Sequence, residues 1–123
     1  MDEIDEVEYA NVPSDFPHPV SLGAVPGAQP KLLVTSYKGK FYPSGCTPPE
    51  LYERWRIYEK IAQELSIKSR ESKLGKRSHM NEVAILEQYF PRLLQTHLTS
   101  ELEARWIIRR AAQILEWPIP HQL

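Results

Sequence analysis

A mainly α-helical fold with one small β-hairpin is the class this sequence predicts: a three-helix body preceded by a disordered acidic, proline-rich arm. Three observations carry the expectation. Apolar residues recur at alternating steps of three and four in three stretches between Leu51 and Leu115, the period of a helical face. Two of those stretches open on a hydroxyl residue followed three positions later by Glu, the pattern of a capping box. By contrast, residues 1–30 hold five prolines and no periodic apolar run.

Each proline of the arm (Pro13, Pro17, Pro19, Pro26 and Pro30) removes an amide donor and pushes its predecessor away from helix. Residues 1–30 are therefore expected to be extended or disordered. Residues 31–123 are expected to form a small helical domain that begins with the hairpin. A domain of that size buries one modest core and leaves little room for a cleft between lobes. This weighs against a complex enzyme.

The hairpin is expected between Lys31 and Pro43, where Lys31-Leu32-Leu33-Val34-Thr35-Ser36-Tyr37 and Phe41-Tyr42-Pro43 flank Lys38-Gly39-Lys40. Two strands alone are marginal in water, so an apolar face containing Leu33 and Phe41 is expected to rest on the helices. Thr47 and Glu50 then cap a helix whose first turn starts at Pro48. Its stripe runs Leu51, Trp55, Tyr58, Ala62 and Leu65, widened by Ile57 and Ile61. Ser66, Ser69, Ser72, Gly75 and Ser78 interrupt that stripe, so the helix is expected to fade between Lys68 and Ser72.

A second helix is expected from Asn81, with Val83, Leu86, Phe90, Leu93 and Leu94 on one side and a kink or break forced by Pro91. The third is the clearest. Ser100 and Glu103 form its capping box, Ala104, Ile107, Ile108, Ala111 and Leu115 its apolar stripe, and Pro118 and Pro120 its end.

A formal net charge of −1 conceals a division along the chain. Residues 1–30 carry Asp2, Glu3, Asp5, Glu6, Glu8 and Asp15 without a single Lys or Arg, whereas residues 31–77 carry eleven basic side chains against five acidic ones. The basic face includes Arg54, Lys68, Arg70, Lys73, Lys76 and Arg77 and is suited to phosphate contacts. A solvated helix face and loop accounts for the same residues. Glu3, Asp5 and Glu6 of the arm, together with Tyr52 and Trp117 lying off or beyond the apolar stripes, are candidate contacts for a protein partner. The other aromatics, at helical spacing, are core candidates.

The segment Val25-Pro26-Gly27-Ala28-Gln29-Pro30-Lys31-Leu32-Leu33-Val34 places glycine and a lysine just before a strand, an arrangement able to present amides and an ammonium to phosphate. Over residues 23–43 it resembles the glycine-rich, ATP-covering segment of HipA-like serine/threonine kinases, including the strand-turn-strand that follows. The resemblance implies that Gly27, Ala28 and Gln29 lie near phosphate and that Lys31 contacts it. The remainder of that family's machinery has no counterpart, since residues 72–123 contain no aspartate to serve as metal ligand or catalytic base.

His18, His79, His97 and His121 show no zinc-ligand spacing, and neither a metal nor another cofactor is expected. Cys46, the single cysteine, has no partner for an internal disulfide and stands just before a helix start, where the dipole can lower a thiol pKa. No secretory signal or run of about 18 apolar residues is present, so the expected location is cytoplasmic and no membrane partner is expected. The resulting reading is a non-catalytic bacterial interaction protein, in the size range of antitoxins, immunity proteins and small regulators, with a protein as partner. The alternatives are a nucleic-acid-associated factor using the basic stretch 54–77 and a nucleotide-binding remnant built on Gly27 to Lys31. No sequence signal specifies an oligomeric state.

Overall fold

The computed structural model describes residues 8–18 and 34–121. They divide into two compact units, Met1–Trp55 and Arg56–Leu123, and the boundary falls inside the first helix. The fold class is as expected: helices dominate, with a single two-stranded antiparallel hairpin among the described residues.

In the first unit, β1 (Val34–Tyr37) pairs with β2 (Lys40–Pro43) in the register Val34 to Pro43, Thr35 to Tyr42, Ser36 to Phe41 and Tyr37 to Lys40. The two-residue turn has both Lys38 (φ 49°) and Gly39 (φ 79°) in the left-handed region. That is the type I′ geometry, whose twist matches the twist of the strands. Because strand side chains alternate, this register puts Tyr37 and Tyr42 on one face and Val34 and Phe41 on the other. The tyrosines are the half-buried pair, with rings 6.3 Å apart and edge to face.

Phe41, expected to rest on the helices, is 74% exposed. Once the tyrosines take the inner face, the two-residue period turns Phe41 outward. Leu33, the other expected core residue, lies outside the described residues.

The expectation of a disordered arm is corrected at residues 8–18. A helical turn begins at Glu8, with amide bonds from Asn11 to Glu8 (2.9 Å) and from Val12 to Tyr9 (3.3 Å), and the Phe16 amide bonds to the Pro13 carbonyl at 3.1 Å. Phe16 is only 2% exposed. Tyr9 packs on Tyr52 with ring centroids 5.3 Å apart, Tyr52 lies 5.8 Å from Trp55, and the Tyr52 hydroxyl donates to the Glu8 carboxylate at 3.4 Å. Two aromatic anchors hold this segment without any apolar periodicity.

Helix α1 (Pro48–Leu74) starts where the sequence indicates. The Glu50 carboxylate accepts from the Thr47 amide (3.3 Å) and from the Thr47 hydroxyl, while the Thr47 carbonyl takes the Leu51 amide at 2.9 Å. The reciprocal box is thus replaced by a carboxylate that satisfies both Thr47 donors.

In the second unit α1 does not fade at 68–72 but continues to Leu74. Its buried residues are Tyr58, Ala62, Leu65, Ser66 and Ser69, so the serines prolong the stripe instead of ending it. Serine is small enough to be buried without a large side chain to pack, and the Ser66 hydroxyl donates to the Gln63 carbonyl at 2.7 Å, within its own helix. After the Gly75 turn come α2 (Glu82–Glu87), capped by Asn81, and α3 (Tyr89–Gln95).

These two segments are the expected second helix, broken at Gln88. Pro91 has no amide to give the Glu87 carbonyl four residues back, and its ring crowds that carbonyl.

Helix α4 (Glu101–Leu115) has the expected capping box, with the Ser100 amide donating to Glu103 at 2.8 Å and the Glu103 amide to the Ser100 hydroxyl at 3.2 Å. Trp106, Ile107, Ile108, Ala111 and Ala112 are buried, as are Ile85 and Leu86 of α2. Arg110 joins α4 to the 56–74 part of α1 by a two-pronged pair with Glu59, at 2.7 and 3.2 Å. The chain leaves α4 through Glu116 in the left-handed region (φ 58°), with the Trp117 amide bonded to the Ala112 carbonyl at 2.9 Å. Among the described residues no helix is long and apolar enough to cross a membrane.

Candidate functional site

The first unit contains a groove of about 390 Å³ between the hairpin, the start of α1 and the ordered turn of the arm. Its walls are Tyr37, Lys38, Lys40 and Tyr42 from the hairpin, Tyr9 and Ala10 from the arm, and Pro48 from the helix start. Strand alternation explains the composition: the register that turns Phe41 outward directs Tyr37, Lys40 and Tyr42 to this side. Lys38 lies 5.6 Å from the centroid of the Tyr37 ring, a cation–π distance. Among the described residues no carboxylate belongs to the lining. The described walls therefore bring together apolar ring faces, phenolic hydroxyls and the side chains of Lys38 and Lys40, a set whose chemistry suits an apolar side chain flanked by anions.

The other candidates fall differently. Gly27, Ala28, Gln29 and Lys31, the kinase-like segment, lie outside the described residues, as do Glu3, Asp5 and Glu6 of the arm; the first described residue after the segment is Val34, which opens β1. Tyr52, a candidate contact, is half-buried between Tyr9 and Trp55 with its hydroxyl on Glu8. It braces the wall that Tyr9 contributes to the groove. Trp117 is half-buried and its amide closes the end of α4.

Of the basic face, Lys68, Lys76 and Arg77 come together around Ser72, Gly75 and Tyr89, lining a second cavity of about 390 Å³ in the second unit. Lys73 is engaged elsewhere: its ammonium donates to the Met80 carbonyl at 2.6 Å and pairs with Glu82 at 3.7 Å. Arg70 is exposed and outside the lining, and Arg54 belongs to the first unit.

Cys46 is buried, and its thiol pKa is pushed up, first by desolvation and then by the Glu50 carboxylate, with Arg54 opposing. The expected lowering by the helix dipole is thus outweighed. Its nucleophilic thiolate is correspondingly disfavoured. The four histidines are exposed, and among the described residues no group of three His, Cys, Asp or Glu side chains is placed to hold a metal ion.

Sequence reasoning missed the groove because its walls come from three separated segments. The available signal was Tyr37-Lys38-Gly39-Lys40-Phe41-Tyr42, where a type I′ turn sends two tyrosines and a lysine to the same side. No protein-family model, no curated protein and no solved structure matches the chain.

Proposed function

We propose that the chain is a non-catalytic protein-interaction protein, and that the groove beside its hairpin takes an acidic segment of a protein partner. The observation that carries this reading is the groove lining: among the described residues it holds three tyrosines and two lysines and no carboxylate. Tyrosine is favoured at interfaces because it brings a large, stiff apolar face at low entropic cost and keeps a polar tip. The lysines set the sign of the segment that fits, since like charge against them costs and opposite charge steers encounter. The division of charge along the chain agrees with a role as a small interaction protein of the antitoxin, immunity or regulatory kind.

The test is a selection of randomised displayed peptides on the full chain, run in parallel with the Lys38→Glu/Lys40→Glu variant. Acidic sequences carrying an aromatic or aliphatic residue should be enriched on the native chain and lost on the variant. Enrichment without acidic bias, or equal enrichment on both, would refute the assignment.

A further inference from the structure

The second unit carries a cavity with a lining of another kind. We infer that the cavity formed by the last turns of α1, the following turn and Tyr89 binds the phosphate backbone of single-stranded nucleic acid, with the Tyr89 ring beside a base. This goes beyond the protein-interaction reading and rests on different residues.

Lys68, Lys76 and Arg77 converge on a cavity of about 390 Å³, where among the described residues Glu71 is the only acidic wall residue, leaving an excess of positive charge. Arg77 is positioned before any ligand arrives: its amide donates to the Ser72 carbonyl at 2.9 Å and its guanidinium Nη1 to the Ser72 hydroxyl at 3.3 Å. A guanidinium fixed at one corner keeps its other donors for the two oxygens of a phosphate. Lys73, whose ammonium donates to the Met80 carbonyl and pairs with Glu82, is not part of the cavity lining, so Lys68, Lys76 and Arg77 are not needed for that task. The turn is also close-fitting, since a Cβ on Gly75 would meet the Glu71 carbonyl at 3.2 Å.

Cations alone fit any phosphate. The aromatic wall decides the class: Tyr89 lines the cavity, and the Arg92 guanidinium lies 5.5 Å from its ring centroid, so a planar π surface flanked by positive charge adjoins the phosphate position. Sequence-tolerant binding of single strands uses this combination of backbone cations and a stacking ring.

The experiment is fluorescence anisotropy with fluorescein-labelled oligo(dT) added to the full chain over a salt series. Three phosphate contacts predict that log K falls with log salt at a slope of about −2, from about −0.7 per contact on a single strand. Lys76→Gln/Arg77→Gln should weaken binding at least about tenfold. Arg56→Gln/Lys60→Gln, which removes the same charge from exposed positions of α1 outside the cavity, should leave it nearly unchanged. Tyr89→Leu should lower affinity by about tenfold, the loss of one stacked base, with circular dichroism confirming an intact fold.

Equal losses from the two double variants would mean diffuse charge attraction and overturn the site. So would an absence of oligonucleotide binding, or binding only of inorganic phosphate or of a phosphotyrosine peptide.

Discussion

Ser69 gives the sharpest check on how the second unit is packed. It is fully buried in the stripe of α1, and its hydroxyl has no hydrogen-bond partner. A hydroxyl taken out of water without a partner costs about 1–3 kcal/mol. Replacing it with alanine removes that cost, gains a few tenths of a kcal/mol in helix propensity (about 0.5) and leaves a void of roughly 10 Å³, worth about 0.2 kcal/mol. Ser69→Ala is therefore predicted to stabilise the protein by about 1–3 kcal/mol, a rise in Tm of at least about 4 °C.

Urea denaturation followed by circular dichroism reads the change as a higher midpoint at constant slope. Ser69→Leu at the same position overpacks the interface and should cost about 1–3 kcal/mol. Ser66→Ala, whose hydroxyl already has a partner, should change stability by less than about 0.5 kcal/mol. A loss of stability in Ser69→Ala would refute the claim that this serine serves as a small packing residue.

Other perturbations follow from single contacts. Cys46 holds its proton more tightly in the folded chain than in the unfolded one, so its contribution to stability is complete below the ordinary thiol range and declines as pH rises through the native titration; iodoacetamide labelling at pH 7 should be slow, and Cys46→Ser should remove that alkaline decline. Glu116 occupies a left-handed position suited to glycine, and Glu116→Gly should raise stability by about 1 kcal/mol in thermal unfolding. The Arg110 and Glu59 side chains are 35% and 17% exposed, which limits their pair to a coupling of about 1 kcal/mol in a double-mutant cycle with alanine, smaller at high salt.

Much of the fold was legible in the sequence because local chemistry and global packing agree there. Thr47, Pro48 and Glu50 marked the start of α1, Ser100 and Glu103 the start of α4, and the Lys38-Gly39 turn joined the two strands. Pro91 forced the break of the second helix at the place its missing amide dictates. What could not be read depended on long-range contacts. Ser66 and Ser69 look like helix breakers by residue type and are nonetheless buried in a continuous helix, and Phe16 has no periodicity to announce that it will be buried.

The hairpin faces were ambiguous for a related reason. With apolar side chains at Val34 and Phe41 and aromatic ones at Tyr37 and Tyr42, the strand pattern allows either face to turn inward. The register and the packing of Tyr9 beside the hairpin select the tyrosine face, and that selection creates the groove.

The most direct test of the proposed function maps binding onto that groove by nuclear magnetic resonance. An isotope-labelled chain would be titrated with a synthetic peptide alternating glutamate and leucine, and with its lysine counterpart. Saturable shifts with the glutamate peptide are predicted at Tyr9, Tyr37, Lys38, Lys40 and Tyr42, with no response to the lysine peptide. Shifts confined to other surfaces, or identical responses to both peptides, would contradict the assignment.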